Sequence, residues 1–354
     1  MLGFDRKAAR YVWTAALVVL LIALVYLVRQ TLFVFVLAIL FAYLLSPLVN
    51  LLDRFLPTRT RTPALALSYV IFVGLVVLFG TQIATRVAQQ ARQLAKDLPA
   101  QMEKWEQPSP DLSPATNKFR RDLLDRIRKQ ITEGPNDLLA NVAQAGMKVV
   151  TLATDLIYVV IVPILAFFFL KDGRMMREHV LELVDDGPPR ALLDDLMADI
   201  NVLLAHYMRA LVLLSLAAFA AFSIAFSIMG VPYSVLLAAM GGLLEFIPML
   251  GPLTAGILIV ALSALSGAPV VGVVIFLLAF RVCQDYILSP HLMGQGVQLH
   301  PLLVLFGVFA GAEIAGIAGA FLSVPTLALV RIFYLRIRKA HVSGQMRPAE
   351  PVRP

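Results

Sequence analysis

The 354-residue chain is poor in charge and nearly free of cysteine. Asp, Glu, Lys and Arg make up 15% of it, against roughly 25% in an ordinary soluble domain. The single cysteine, Cys283, excludes an internal disulfide framework and a thiolate metal cluster. The five histidines (His179, His206, His291, His300 and His341) never stand at the i, i+4 spacing of a helical metal site. No G-x-x-x-x-G-K-[ST] run occurs, which removes the usual nucleotide cradle. Any uphill movement of a solute would therefore draw on a gradient or a separate subunit. Nor is there a hydrolytic constellation: Ser215, Ser223, Ser227, Ser234 and Ser263 have no histidine partner within an apolar span. No enzyme activity and no cofactor are expected.

What the chain has instead is apolar length. Hydrophobic residues make up 59% of it, and mean hydropathy is +0.81. The charges are clustered. Residues 86–148 carry 11 basic and 8 acidic residues, and residues 171–209 carry 5 and 8. Between Ala210 and Val330 only Glu245, Arg281, Asp285 and Glu313 are charged. This pattern predicts an all-α polytopic membrane protein with about eight spans, two of them broken or re-entrant, and a charged helical extramembrane insert. The net charge of +7 lies largely beside apolar segments, where Lys and Arg set topology. It points to acidic membrane lipid rather than nucleic acid.

Along the chain, residues 1–10 form a basic cytoplasmic tail and 11–85 hold spans 1–3. The first of these, 11–28, reads as an uncleaved span. Pro63 and Pro99 bracket a third helix of about 52 Å, longer than the roughly 30 Å hydrocarbon core. The insert covers 86–148, with Phe119, Leu123, Leu124, Ile127 and Ile131 at helical spacing. Span 4 is 149–170. In the cytoplasmic segment 171–209, Leu192, Leu193, Leu196, Ile200, Leu203 and Leu204 share one face, which suits a helix at the membrane surface or one packed on its neighbours. Spans 5–8 occupy 210–335 as a transport core, and 336–354 is a basic tail. The basic residues beside the first and last spans, Arg6, Lys7 and Arg10 and then Arg331, Arg336, Arg338 and Lys339, point to cytoplasmic termini.

Two segments of the core share one design. Residues 232–265 are interrupted by Pro248, Gly251 and Pro252, leaving halves of about 15 residues, short of the roughly 20 needed to span. Residues 301–334 repeat the pattern: Pro232 and Pro301 open the segments, Glu245 and Glu313 follow, and Gly251 and Gly319 stand six residues later. Gly241, Gly242, Gly316 and Pro325 are further candidate hinge positions. Irregular backbone survives at membrane depth only where protein or a water-filled cavity satisfies it, and paired breaks point to a transporter binding site. Intramembrane ionisable groups mark a pathway by default, which makes Glu245 the leading candidate and Glu313 the second. Arg281 and Asp285 stand i, i+4 beside Gln284, as a pathway group or as a self-neutralising anchor. Gly307/Gly311, Ala312/Gly316 and Ala315/Gly319 are small-residue pairs suited to close helix contact.

Gly230-Val231-Pro232-Tyr233, then Leu243-Leu244-Glu245-Phe246-Ile247-Pro248 with Gly251-Pro252, resembles the signature of the autoinducer-2 exporter family, also called the PerM permease family. Gln284, Pro290-His291-Leu292-Met293-Gly294, Leu299-His300-Pro301, Gly316-Ile317-Ala318-Gly319 and Val324-Pro325 follow in order. The resemblance implies an inner-membrane homo-oligomer, a pentamer being one order. It also implies export of a small signalling molecule in some relatives and sodium/proton exchange in others. Asp285 stands where relatives often carry glutamate, and Ala312-Glu313 replaces a Gly-rich pair.

The leading expectation is a gradient-driven secondary transporter of a small polar solute, autoinducer-2 being one candidate. Its rival is a sodium- or lithium-proton antiporter, and a third reading is a membrane scaffold or channel without coupled transport.

Overall fold

The computed structural model describes residues 6–56, 61–106, 160–293 and 299–342. The predicted insert helix around Phe119–Ile131 and residues 149–159 of the fourth span lie outside them. The described residues are helical throughout, joined by short turns. In chain order the helices are α1 (Arg6–Leu27), α2 (Arg29–Phe55), α3 (Thr62–Leu75), α4 (Thr81–Glu106), α5 (Val162–Glu182) and α6 (Pro188–Ile228). They continue as α7 (Ser234–Leu244), α8 (Leu250–Leu265), α9 (Val270–Cys283), α10 (Ser289–Met293) and α11 (Pro301–Val342). Six helical stretches are long and apolar enough, by length and composition, to cross a bilayer. The protein is an all-α multi-pass membrane protein.

α1 exposes nearly all of its apolar surface, including Trp13, Leu20 and Leu27, as suits a lipid-facing helix. A π-helical turn at Val76–Gly80 joins α3 to α4 without a break. The combined helix does not stop at Pro99. It runs through that proline to Glu106, so it is about 65 Å long and projects further than expected. A proline in a helix interior removes one backbone bond but does not oblige the helix to end where flanking residues keep it in register.

α6 is the organising element. Its 41 residues span about 61 Å, twice the hydrocarbon thickness. The segment 188–209 is thus no separate surface helix but the first half of α6, unbroken into the span. Leu196, Leu203 and Leu204 are buried. Leu204, Tyr207, Met208 and Leu211 form a core with Leu40 of α2 and Val324 of α11. That apolar face is spent on neighbouring helices.

Both interrupted segments are helical hairpins. α7 and α8 pack against each other, and a Cβ placed on Gly241 would lie 3.8 Å from Ile259 Cδ1. At their tip, Leu250 N donates to Pro248 O at 2.7 Å across Met249, whose φ of 64° and ψ of −54° define a strained γ-turn. Gly251 then comes so close to α7 that a Cβ would fall 1.7 Å from Leu244 O. The second hairpin folds α11 on itself. Ala315 leaves helical geometry, and Gly316 adopts φ 61°, ψ −143°, a region that a Cβ forbids. Across this turn a Cβ on Gly311 would lie 2.3 Å from Gly319 O, and one on Gly307 would lie 2.5 Å from Leu327 Cδ1. The small residues thus serve a backbone-to-backbone return.

The two hairpins enter from opposite ends of α6. The first begins at Ser234, directly after the C-terminal end of α6. The second has its base at the other end, where Arg336 holds Asp195 and Asp199 of α6 at 2.7 and 2.6 Å. Near the tips, Phe246 and Phe321 come into ring contact, with centroids 6.1 Å apart.

Candidate functional site

Glu245 closes α7. Its amide donates to Gly241 O at 3.2 Å, and the next amide, Phe246 N, donates to Leu243 O at 3.2 Å. The carbonyl of Gly242 is taken up by α6, whose Ser215 Oγ donates to it at 2.6 Å. Gly241 and Gly242 lie within α7, not at the break. A Cβ on Gly242 would stand 3.0 Å from Ser215 O, and one on Gly241 2.5 Å from the Phe222 ring, so their role is close approach to α6.

α9 delivers the partner of Glu245. Phe276, Phe280 and Gln284 recur at i, i+4 and i+8 and share a helix face. Phe276 and Phe280 pack edge-to-face against Phe222 of α6, at centroid distances of 5.8 and 5.0 Å. That aromatic cluster seats α9 beside the first hairpin, and Gln284 Nε2 donates to Glu245 Oε2 at 2.7 Å. Glu245 and Gln284 are 8% and 3% exposed, two of the few buried polar side chains among the described residues. Such a buried pair persists because each group satisfies the other. Gln284 opens a π-helical turn, Gln284–Leu288, a local irregularity frequent at functional sites.

The other candidates fall around this pair. Arg281 Nε and Asp285 Oδ2 form an i, i+4 ion pair at 2.9 Å, with both side chains nearly half exposed. They flank Gln284 in sequence and pair with each other rather than with Glu245. Glu313 is exposed on the first arm of the second hairpin, two residues before Ala315, and does not join the pair. Pro248, Gly251 and Pro252 lie at or next to the first tip, and Gly316 is the turn of the second. Gly319 is a packing position on the returning arm, and Pro325 sits further along it inside helix. An open apolar cavity of about 220 Å³ lies between Leu40, Leu44, Val162, Met208 and Phe321, and neither Glu245 nor Gln284 lines it. No group of three or more His, Cys, Asp or Glu side chains among the described residues is arranged to hold a metal ion.

Sequence reasoning missed a second polar contact, where α4 meets the mouth of the first hairpin. Tyr233 Oη donates to Asp97 Oδ2 at 2.7 Å and accepts from Gln101 Nε2 at 3.3 Å, while Leu236 N donates to Gln90 Oε1 at 2.8 Å. Only Tyr233 stood in a quoted motif. Nothing in the charged run around Asp97 signals a partner more than 130 residues away.

A helical multi-pass protein with two opposed, broken-helix hairpins and a buried polar pair at one tip has the build of a membrane transporter. The comparison with known families agrees: the chain belongs to the AI-2E family transporters, whose family model matches residues 15–339. Similar proteins include YueF of Bacillus subtilis, 25% identical over 87% of this chain and 86% of that protein. MT0215 of Mycobacterium tuberculosis is 28% identical over 91% and 88%. PerM of Escherichia coli is 26% identical over 83% and 84%. Their names describe them, provisionally, as two transport proteins and a permease.

Proposed function

We propose that the protein is a secondary transporter in which Glu245 exchanges a proton or cation as the two hairpins alternate in exposing it. The observation that carries this reading is the buried Glu245–Gln284 bond at the tip of a half-helix. Desolvation makes a lone buried carboxylate expensive, so its charge must be matched by a proton, a cation or its amide partner. A small polar solute, autoinducer-2 among the candidates, would share the passage between the tips. The path is assigned to Glu245, Gln284, Arg281 and Asp285, with Glu313 on the opposite hairpin.

A sodium- or lithium-proton antiporter is the rival reading, and one feature favours it. Glu245 caps the C-terminal end of α7, so its carboxylate and the negative end of the helix dipole stand together, and both suit a cation. The setting for either reading is the bacterial inner membrane, with both termini in the cytoplasm, anionic lipid around the basic loops, and a homo-oligomer, a pentamer being one order. Purified protein in sealed vesicles, with internal pH and autoinducer-2 followed together, separates the two. Proton-linked solute movement lost in Glu245→Gln supports the exporter. Proton movement that needs sodium or lithium, and not the solute, supports the antiporter.

A further inference from the structure

The mouth of the first hairpin is held by a helix from a distant part of the chain. Tyr233 is a non-glycine residue in left-handed geometry, φ 59° and ψ 31°, a conformation bulky residues adopt only when their surroundings over-determine it. Here the surroundings belong to α4. Asp97 and Gln101, one turn apart on α4, both bond the phenol oxygen, and Tyr233 is 7% exposed. One turn on, Gln90 accepts the amide of Leu236, which belongs to the first turn of α7 and has no acceptor inside that helix. Side chains of α4 thus do the capping that α7 lacks from its own sequence, since no local side chain caps it. Gln101 Oε1 is buried without a hydrogen-bond partner, so the contact is not fully satisfied and its parting is eased.

We infer that Asp97, Gln101 and Tyr233 are positioning residues for transport: they clamp the mouth of the first hairpin to α4, and the hairpin must part from α4 for the path beside Glu245 to open. This rests on the transporter reading above, but the clamp can be read without any flux. The test uses the full-length protein with Cys283→Ser, in vesicles of phosphatidylethanolamine and phosphatidylglycerol. Leu236→Cys reports from the clamp, and Val49→Cys, at a fully buried position in α2, serves as control. The probe is a water-soluble maleimide.

Tyr233→Phe removes one oxygen, and Asp97→Ala removes its acceptor. Each should raise the labelling rate of Leu236→Cys about tenfold, the equivalent of one hydrogen bond to a charged group. The double variant should add little, because both changes break the same bond. Labelling of Val49→Cys should not change. Unchanged labelling at 236, or an equal rise at 49, would overturn the clamp. The rate of proton flux in the same vesicles should differ between Tyr233→Phe and the parent, and an identical rate would overturn the positioning role. A parent without proton flux would instead count against the transport reading, leaving the labelling result to decide the clamp.

Discussion

Gly251→Ala tests the geometry that holds Glu245 at its hairpin tip. The new methyl would start 1.7 Å from Leu244 O and 2.7 Å from the carbonyl carbon. Ordinary contact needs more than 3 Å, so α7 and α8 must separate by roughly 1.5 Å at their closest point, against the resistance of a close-packed interior. Leu244 is the residue before Glu245, and that displacement breaks the 2.7 Å bond to Gln284. Overpacking contributes about 1–3 kcal/mol, and an orphaned buried polar group about 1–3 kcal/mol more. The expected loss is therefore about 2–6 kcal/mol. Reversible unfolding in mixed detergent, read by circular dichroism, measures it. Gly256→Ala, on the neighbouring turn of α8, is the reference, because a methyl there meets nothing within 4 Å. Equal stability of the two variants would refute the hairpin tip as described.

Gly316→Ala should destabilise by about 1–3 kcal/mol through backbone strain alone, since the site has open space but a glycine-only conformation; the same unfolding assay reads it. Arg336→Ala should loosen the base of the second hairpin against α6. Its pairs with Asp195 and Asp199 are partly solvated, so the loss should be only about 0.5–1 kcal/mol, and it should shrink as salt is added to the unfolding titration.

Much of the architecture was legible because membrane depth leaves so few options. A break in an apolar run too short to span on either side must be a hairpin or a kinked helix, and both paired breaks are present. Pro248 and Gly251 marked the first tip, where proline removes a donor and glycine admits the approach of Leu244. Glu245 stood out because a lone carboxylate in an apolar run needs a physical reason. The partner was harder to read. Gln284 is neutral and therefore silent to charge counting, and the Arg281–Asp285 pair beside it drew attention away from it. Two long helices were misjudged in extent. Pro99 looked like a terminus, and the polar-to-apolar change near Arg209 looked like a boundary, but α4 and α6 continue because packing partners outside the local sequence hold them. The Asp97–Tyr233 contact depends wholly on such tertiary placement.

The role of Glu245 is decided by proton movement through the purified protein in sealed vesicles, with the parent compared to Glu245→Gln under an imposed pH gradient. Glutamine keeps the shape and a hydrogen bond to Gln284 but cannot gain or lose a proton at that oxygen. Coupled proton movement is expected in the parent and is lost in Glu245→Gln, with insertion and folding unchanged. Coupled proton movement of equal rate in both proteins would contradict it.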